Sequence, residues 1–406
     1  MRLRIKDICD YVSRGTTPDY VDEGANKVMN QATFSKGWID ECNIRYTSKT
    51  NKGARIMKGD LLMASTGGGV LGKVFFFDDD DSFYADSHVT IMRNSKGANL
   101  MKYLYYYFYL RYDEINATMV KGSTNQTELQ RNYLLSYELD VPTLADQQRM
   151  VTYLDTKLSE IDHQVSLLTS KRDAYLRLKK SIINNAVTRG LNPNVKMKDS
   201  GIEWIGEVPE HWEVKRMKDI CALSPNIKSC SEYEYGSYLP MEGLRLDQIE
   251  TSDELVSTLQ GKYTPFEDND LLVAKVTPCF ENGNIAIAKG LTNGVGFGSS
   301  EIFVLRANKY NNIRFLFYMS LSSKFQDKAC ATMCGVGGLK RISPLFMKTY
   351  IMAIPPSTEQ RAIATYLDDK CAKIDTIVSN LDKQISRYAD LKRSLIDEVI
   401  TGKRAV

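Results

Sequence analysis

The chain has three histidines in 406 residues, no Cys-x-x-Cys pair among its eight cysteines, and no long hydrophobic run. Each shortage excludes a class of chemistry. With so little imidazole, a His-Asp-Ser or Cys-His relay has almost nothing to draw its base from. Cysteines 9, 42, 221, 230, 279, 330, 334 and 371 stand in no knuckle or helical spacing with His88, His163 or His211, which argues against structural zinc. We read them as reduced thiols and expect no disulfides. The longest aromatic run, Tyr103 to Tyr112, is too short to cross a bilayer, and Met1 to Asp7 holds no apolar targeting core, so a cytoplasmic location is expected. Charge of one sign is also scarce: 53 basic residues against 50 acidic ones leave a net +3, so any nucleic-acid reading has to rest on local patches. What remains, 43% hydrophobic and 25% charged with no biased tract, describes a folded chain with more than one core.

What is present is a duplication. Thr152-Tyr153-Leu154-Asp155 returns as Thr365-Tyr366-Leu367-Asp368, and Arg4-Ile5-Lys6-Asp7-Ile8-Cys9 lines up with Arg216-Met217-Lys218-Asp219-Ile220-Cys221. Weaker echoes join Asp60-Leu61-Leu62 to Asp270-Leu271-Leu272, and residues 89–93 to 302–306. The repeat predicts two globular units, 1–141 and 212–354, each followed by a helical segment, 142–190 and 355–406, with a linker over 191–211.

The helical segments carry one apolar edge. Val151, Leu154, Leu158, Ile161, Val165 and Leu168 alternate three and four apart, as do Leu367, Cys371, Ile374, Val378 and Leu381. No Gly or Pro occurs between Ala145 and Arg189, and Pro142 and Pro355-Pro356 mark the entries. Two such edges in one chain predict an antiparallel coiled coil, a rod of roughly 50 Å at about 1.5 Å per residue. Arg172, Lys179 and Lys392 interrupt the seam, so parts of it are expected to face water or another protein. The rod would act as a spacer, and one heptad inserted into either helix should change the gap it sets.

The globular units read as α+β. Short runs such as Gly72 to Phe77, His88 to Arg93, Leu271 to Val276, Ile285 to Ala288 and Ile302 to Leu305 read as strands, with helices over Asn99 to Tyr112 and Ile313 to Lys324. Gly67-Gly68-Gly69-Val70-Leu71-Gly72-Lys73 fits the spacing of a phosphate loop. However, Val74 replaces the magnesium-binding hydroxyl, and Val74 to Phe77 reads as a strand where such a loop opens a helix. Asp78 to Asp81 reads as a solvated turn. Gly296-Phe297-Gly298 lacks the surroundings of a methyl-donor loop, and no Asp-Pro-Pro-Tyr motif appears. The chain therefore looks non-catalytic.

Candidate DNA-contacting residues are basic or amide side chains in polar loops. Arg45, Lys49, Lys52 and Arg55 form a basic run. Lys121, Ser123, Thr124, Asn125 and Gln126 precede the first helical segment, and Lys340 and Arg341 stand at the matching place in the second unit, where Lys275, Asn282 and Asn284 join them. Asn and Gln suit adenine edges, Arg and Lys suit guanine, and Gly lets backbone approach phosphate. Gln147, Tyr153 and Asp155, with Gln360, Tyr366 and Asp368, are the candidate partner-binding residues on the helices.

Glu359-Gln360-Arg361-Ala362-Ile363-Ala364-Thr365-Tyr366-Leu367-Asp368 after Pro355-Pro356, together with the linker Gly201-Ile202-Glu203-Trp204-Ile205-Gly206-Glu207-Val208-Pro209-Glu210-His211-Trp212, closely resembles the specificity subunit of type I restriction-modification systems. The first copy departs from the pattern, with a single Pro142 ahead of Asp146-Gln147. The resemblance covers essentially the whole chain. It implies two tandem α/β target-recognition domains joined by the two long helices as a pseudo-two-fold internal repeat, each domain binding one half of a split DNA target. It implies helices that dock two methyltransferase subunits, and motor-nuclease subunits that join to cleave unmodified DNA. It implies no cofactor in this chain, with S-adenosylmethionine, ATP and magnesium belonging to partner subunits, and no membrane. Because Gly122 to Gln126 differ from Gly335 to Arg341, the two half-sites should differ. The competing expectation is a stand-alone pseudo-dimeric DNA-binding regulator, whose helices would be buried wholly against each other.

Overall fold

Hydrophobic strands and amphipathic helices assemble here into two α+β units, residues 1–168 with 383–406, and residues 169–382. The computed structural model describes the chain apart from residues 25, 50, 96, 122–126, 226, 228–231 and 336–337. The division falls within both long helices, Leu144–Arg189 and Ser357–Ile400, so each unit takes part of each helix.

Each unit is built on a four-stranded antiparallel sheet. In the first its order is Tyr11–Arg14, Val89–Arg93, Leu61–Ala64, Val74–Phe76. In the second it is Cys221–Leu223, Ile302–Ala307, Leu271–Ala274, Ile285–Ile287. The faint sequence echoes meet inside these sheets. Asp60, 1% exposed, takes Arg93 at 2.7 Å and the Met57 amide, and Asp270, also 1% exposed, takes Arg306 at 2.7 Å and the Glu267 amide. A carboxylate this deeply buried needs such partners, because desolvating it unpaired costs several kcal/mol.

A second sheet in each unit went unread in the sequence. The first unit arranges Tyr20–Val21, Arg45–Thr47, Asn26–Met29, Phe83–Ala85 and Arg55–Ile56, and the second Ser252–Leu255, Tyr235–Leu239, Val295–Gly298 and Thr264–Glu267. Each contains one parallel pair, Asn26–Met29 with Phe83–Ala85 and Tyr235–Leu239 with Val295–Gly298. Gly296 and Gly298, set aside above as a methyl-donor motif, serve packing: a Cβ on Gly296 would lie 2.5 Å from the Phe266 ring.

The opening strand of each unit pairs with the strand that leads into its long helix, Arg2–Arg4 with Glu138–Asp140 and Glu213–Arg216 with Ile351–Ile354. The repeated Arg-x-x-Asp then forms a helix start, where Asp7 accepts from the Arg4 amide at 3.2 Å and Asp219 from the Arg216 amide at 3.3 Å. The expected helix over Ile313 to Lys324 is two helices, Ile313–Ser320 and Ser323–Ala331, because the Ser322 hydroxyl caps the Phe325 amide and restarts the chain. The linker is partly folded: Met197–Asp199 and Glu207–Pro209 form a hairpin, and Trp212 is fully buried beside Glu359.

The long helices pair antiparallel. In the second unit, Lys179 bonds Asp375 at 2.7 Å and Arg172 bonds Asp382 at 3.5 Å, so seven residues down one helix are seven up the other. In the first unit, Lys392 bonds Asp162 at 2.7 Å. This corrects the reading of Arg172, Lys179 and Lys392 as seam breaks turned to water or another protein: all three bridge to the sister helix. Lys179–Asp375 and Lys392–Asp162 are the same bond in the two copies. Each helix ends at a glycine in the left-handed region, Gly190 at φ +76° or Gly402 at φ +75°. Among the described residues, no helix is long and apolar enough to cross a membrane, and no cluster of His, Cys, Asp and Glu is arranged to hold a metal.

Candidate nucleic-acid interface

At one edge of each antiparallel sheet three chain segments are tied by the same backbone bonds. The segment returning to the long helix donates to the end of the central strand, Leu129 N to Ser65 O at 2.8 Å and Ile342 N to Lys275 O at 2.9 Å. That strand end donates in turn to the bend before its neighbour, Ser65 N to His88 O and Lys275 N to Glu301 O, both at 2.8 Å. Isolated bridges Thr66–Glu128 and Val276–Arg341 complete the match. The frame therefore makes Ser65 equivalent to Lys275, His88 to Glu301 and Glu128 to Arg341.

The side chains on this shared frame differ. In the first unit Arg14 pairs with Glu128 and donates to Ser87 O at 2.8 Å, and Thr66 Oγ1 lies 2.6 Å from His88 Nδ1. Asp86, 2% exposed, accepts from the His88 amide, and its burial raises its pKa. Tyr20 reaches Asp86 at 3.4 Å, and Arg45 stacks 5.0 Å over the Tyr20 ring, so the basic run joins the edge. In the second unit Arg341 grips Glu301 through Nε at 2.8 Å and Nη2 at 3.0 Å. Lys275 donates to Ser300 O at 2.6 Å over the Phe303 ring, and burial lowers its pKa. Thr277 and Lys340 exchange bonds at 2.9 and 3.0 Å.

The structure thus gathers Lys275, Lys340 and Arg341. Asn284 lies at the base of the same loop, its carbonyl accepting from Ala274 N at 3.1 Å, with Asn282 exposed two residues before it. In the first unit Lys49 pairs with Asp19 and lines, with Lys52, a polar cleft of about 400 Å³ below Tyr84. Arg55 is exposed on the edge strand of the second sheet. Lys121 pairs through its backbone with Glu128, and its side chain is outside the described residues, as are Ser123, Thr124, Asn125 and Gln126. Sequence reasoning missed Arg14, His88, Glu128 and Glu301. The echo of residues 89–93 with 302–306 held the signal for two of them, since His88 and Glu301 directly precede it.

The helix candidates divide. Gln147 and Gln360 are 3% and 1% exposed and tie the helix starts to Pro142 O and Pro355 O, each at 2.8 Å, so a direct partner contact at these two is corrected to an internal clamp. Asp155 and Asp368 anchor their own units: Asp155 holds Tyr106 at 2.6 Å and Lys102 at 2.7 Å, and Asp368 holds Tyr318 at 2.6 Å and Arg314 at 2.7 Å. Tyr153 receives a bond from Arg404 at 3.2 Å, whereas Tyr366 is exposed. Further exposed apolar side chains stand at Leu167, Leu176, Leu178 and Leu391, and Leu178 and Leu391 are equivalent in the repeat.

The family model of the type I restriction modification DNA specificity domain matches residues 1–167 and 209–387. The specificity subunit of the type I restriction enzyme EcoEI of Escherichia coli is 29% identical over 199 residues, 48% of this chain and 33% of that protein, so the chain matches about a third of that relative's length. The putative MjaX specificity subunit of Methanocaldococcus jannaschii is 22% identical over 414 residues, 98% of this chain and 92% of the relative. A solved structure described as the basis of complex assembly and conformational transition of the type I R-M system shares the fold, with a TM-score of 0.70 over 98% of this chain and 97% of that one at 13% identity.

Proposed function

Because this chain belongs to the family of type I restriction modification DNA specificity domains, we propose that it is the DNA-specificity subunit of a type I restriction-modification complex. Each unit binds one half of a bipartite, asymmetric target. The chain performs no chemistry itself, and it acts in the cytoplasm. The long helices dock two methyltransferase subunits, which bring S-adenosylmethionine and methylate adenine. Restriction subunits that use ATP and magnesium join in the full complex.

The observation that carries this reading is the sheet edge built twice on one backbone frame with different side chains, Arg14, His88 and Glu128 against Lys275, Glu301 and Arg341. A frame held constant while its polar groups change is what reading two different base sequences requires. A stand-alone regulator called for helices buried wholly against each other. Leu178 and Leu391, 46% and 49% exposed, show that the helices are not wholly buried against each other, which disfavours that reading. Native mass spectrometry of the chain co-expressed with its modification subunit tests the assembly. The expected species holds two modification subunits per chain, and a chain that never co-purifies with one contradicts the proposal.

A further inference from the structure

Positions 128 and 341 stand at the same place in the two frames with opposite chemistry. In the first unit the returning segment supplies a carboxylate, Glu128, and the strand Tyr11–Arg14 supplies its cation. In the second the returning segment supplies the cation, Arg341, and the bend before the neighbouring strand supplies the carboxylate, Glu301. Neither pair is buried: the Glu128 side chain is 47% exposed and that of Arg341 52%. Exposed pairs of this kind contribute little to stability, so their value to the fold is small.

Their geometry suits another use. Glu301 takes Arg341 through Nε and Nη2, the flank of the guanidinium, which leaves the outer edge of Nη1 and Nη2 with two parallel donors. A planar fork already held in place loses less conformational freedom when it bonds a second planar acceptor. The guanine edge, with O6 and N7 side by side in the major groove, is that acceptor. A carboxylate such as Glu128 carries only acceptors and matches the exocyclic amine of cytosine or adenine.

The geometry points to positions 128 and 341 as base-reading positions of the two units: Arg341, oriented by Glu301, reads a guanine in one half of the target, and Glu128, oriented by Arg14, reads an exocyclic amine in the other. This rests on the function proposed above. Arg14 and Glu301 are positioning residues, and a lysine at 341 keeps the charge but not the fork.

The test is N6-methyladenine sequencing of a methylation-free host that expresses the chain with its modification subunit. Wild type is expected to give a bipartite motif with a fixed guanine in one half. Arg341→Gln and Arg341→Lys should both relax that guanine by on the order of 10- to 100-fold while leaving the other half intact. Glu128→Gln should relax one position of the opposite half. A phosphate contact alone would instead leave the motif unchanged in Arg341→Lys and lower methylation evenly in Arg341→Gln, which overturns the inference, as does a motif unchanged in all three variants. A wild-type chain that directs no bipartite motif removes the functional reading itself, an outcome distinct from any variant result.

Discussion

Asp60 and Asp270 show how much a single residue carries in this fold. Each is almost wholly enclosed, meets one arginine and one backbone amide, and closes the turn ahead of the central strand. Replacing either by Ala removes the buried carboxylate and frees the turn, while Arg93 keeps the Arg55 carbonyl and Arg306 keeps Glu267, so Asp60→Ala and Asp270→Ala should each cost about 1 to 3 kcal/mol, read as a lower urea midpoint at constant slope. The glycine at 296 belongs to the same scale. A methyl group there runs into the Phe266 ring, and Gly296→Ala should cost about 1 to 3 kcal/mol in the same measurement. The aspartates were legible as a repeated Asp-Leu-Leu. Phe266 against Gly296 was not, because no local pattern joins a ring on one strand to a gap on the next.

Among elements, the long helices were the most legible, since apolar spacing, the absence of Gly and Pro, and proline before each entry all agree. Their ionic residues were misread. Lys179 and Lys392 break the apolar period, and only the antiparallel register reveals that each stands opposite an aspartate. The second sheet of each unit stayed hidden because its strands are short, polar or glycine-rich and take their order from long-range pairing. The helix surfaces separate two roles that one motif had merged. Gln360 is a clamp, its Oε1 accepting from the Asn312 amide at 2.7 Å and its amide donating to Asn311 and Pro355 O, so Gln360→Ala should cost about 1 to 3 kcal/mol in stability. Leu178 and Leu391 lie in the open. The double variant Leu178→Glu, Leu391→Glu should leave the melting temperature within about 2 °C of wild type, while capture of the modification subunit on an affinity resin drops at least tenfold.

At the scale of the whole chain, both copies keep one backbone frame while their polar edges differ. The family model matches two stretches of the chain and the two frames share their backbone bonds, and under the proposed function the different edges make two unlike readers. The repeat and the two long helical segments were visible in the sequence. It did not place the edge, which is assembled from segments dozens of residues apart that only backbone bonding brings together. The most direct test is the symmetry of the methylated motif in a methylation-free host expressing the modification subunit with and without this chain. Two unlike half-sites separated by unread bases are expected, and only when this chain is present. A palindromic motif, or methylation that persists without the chain, would contradict this expectation.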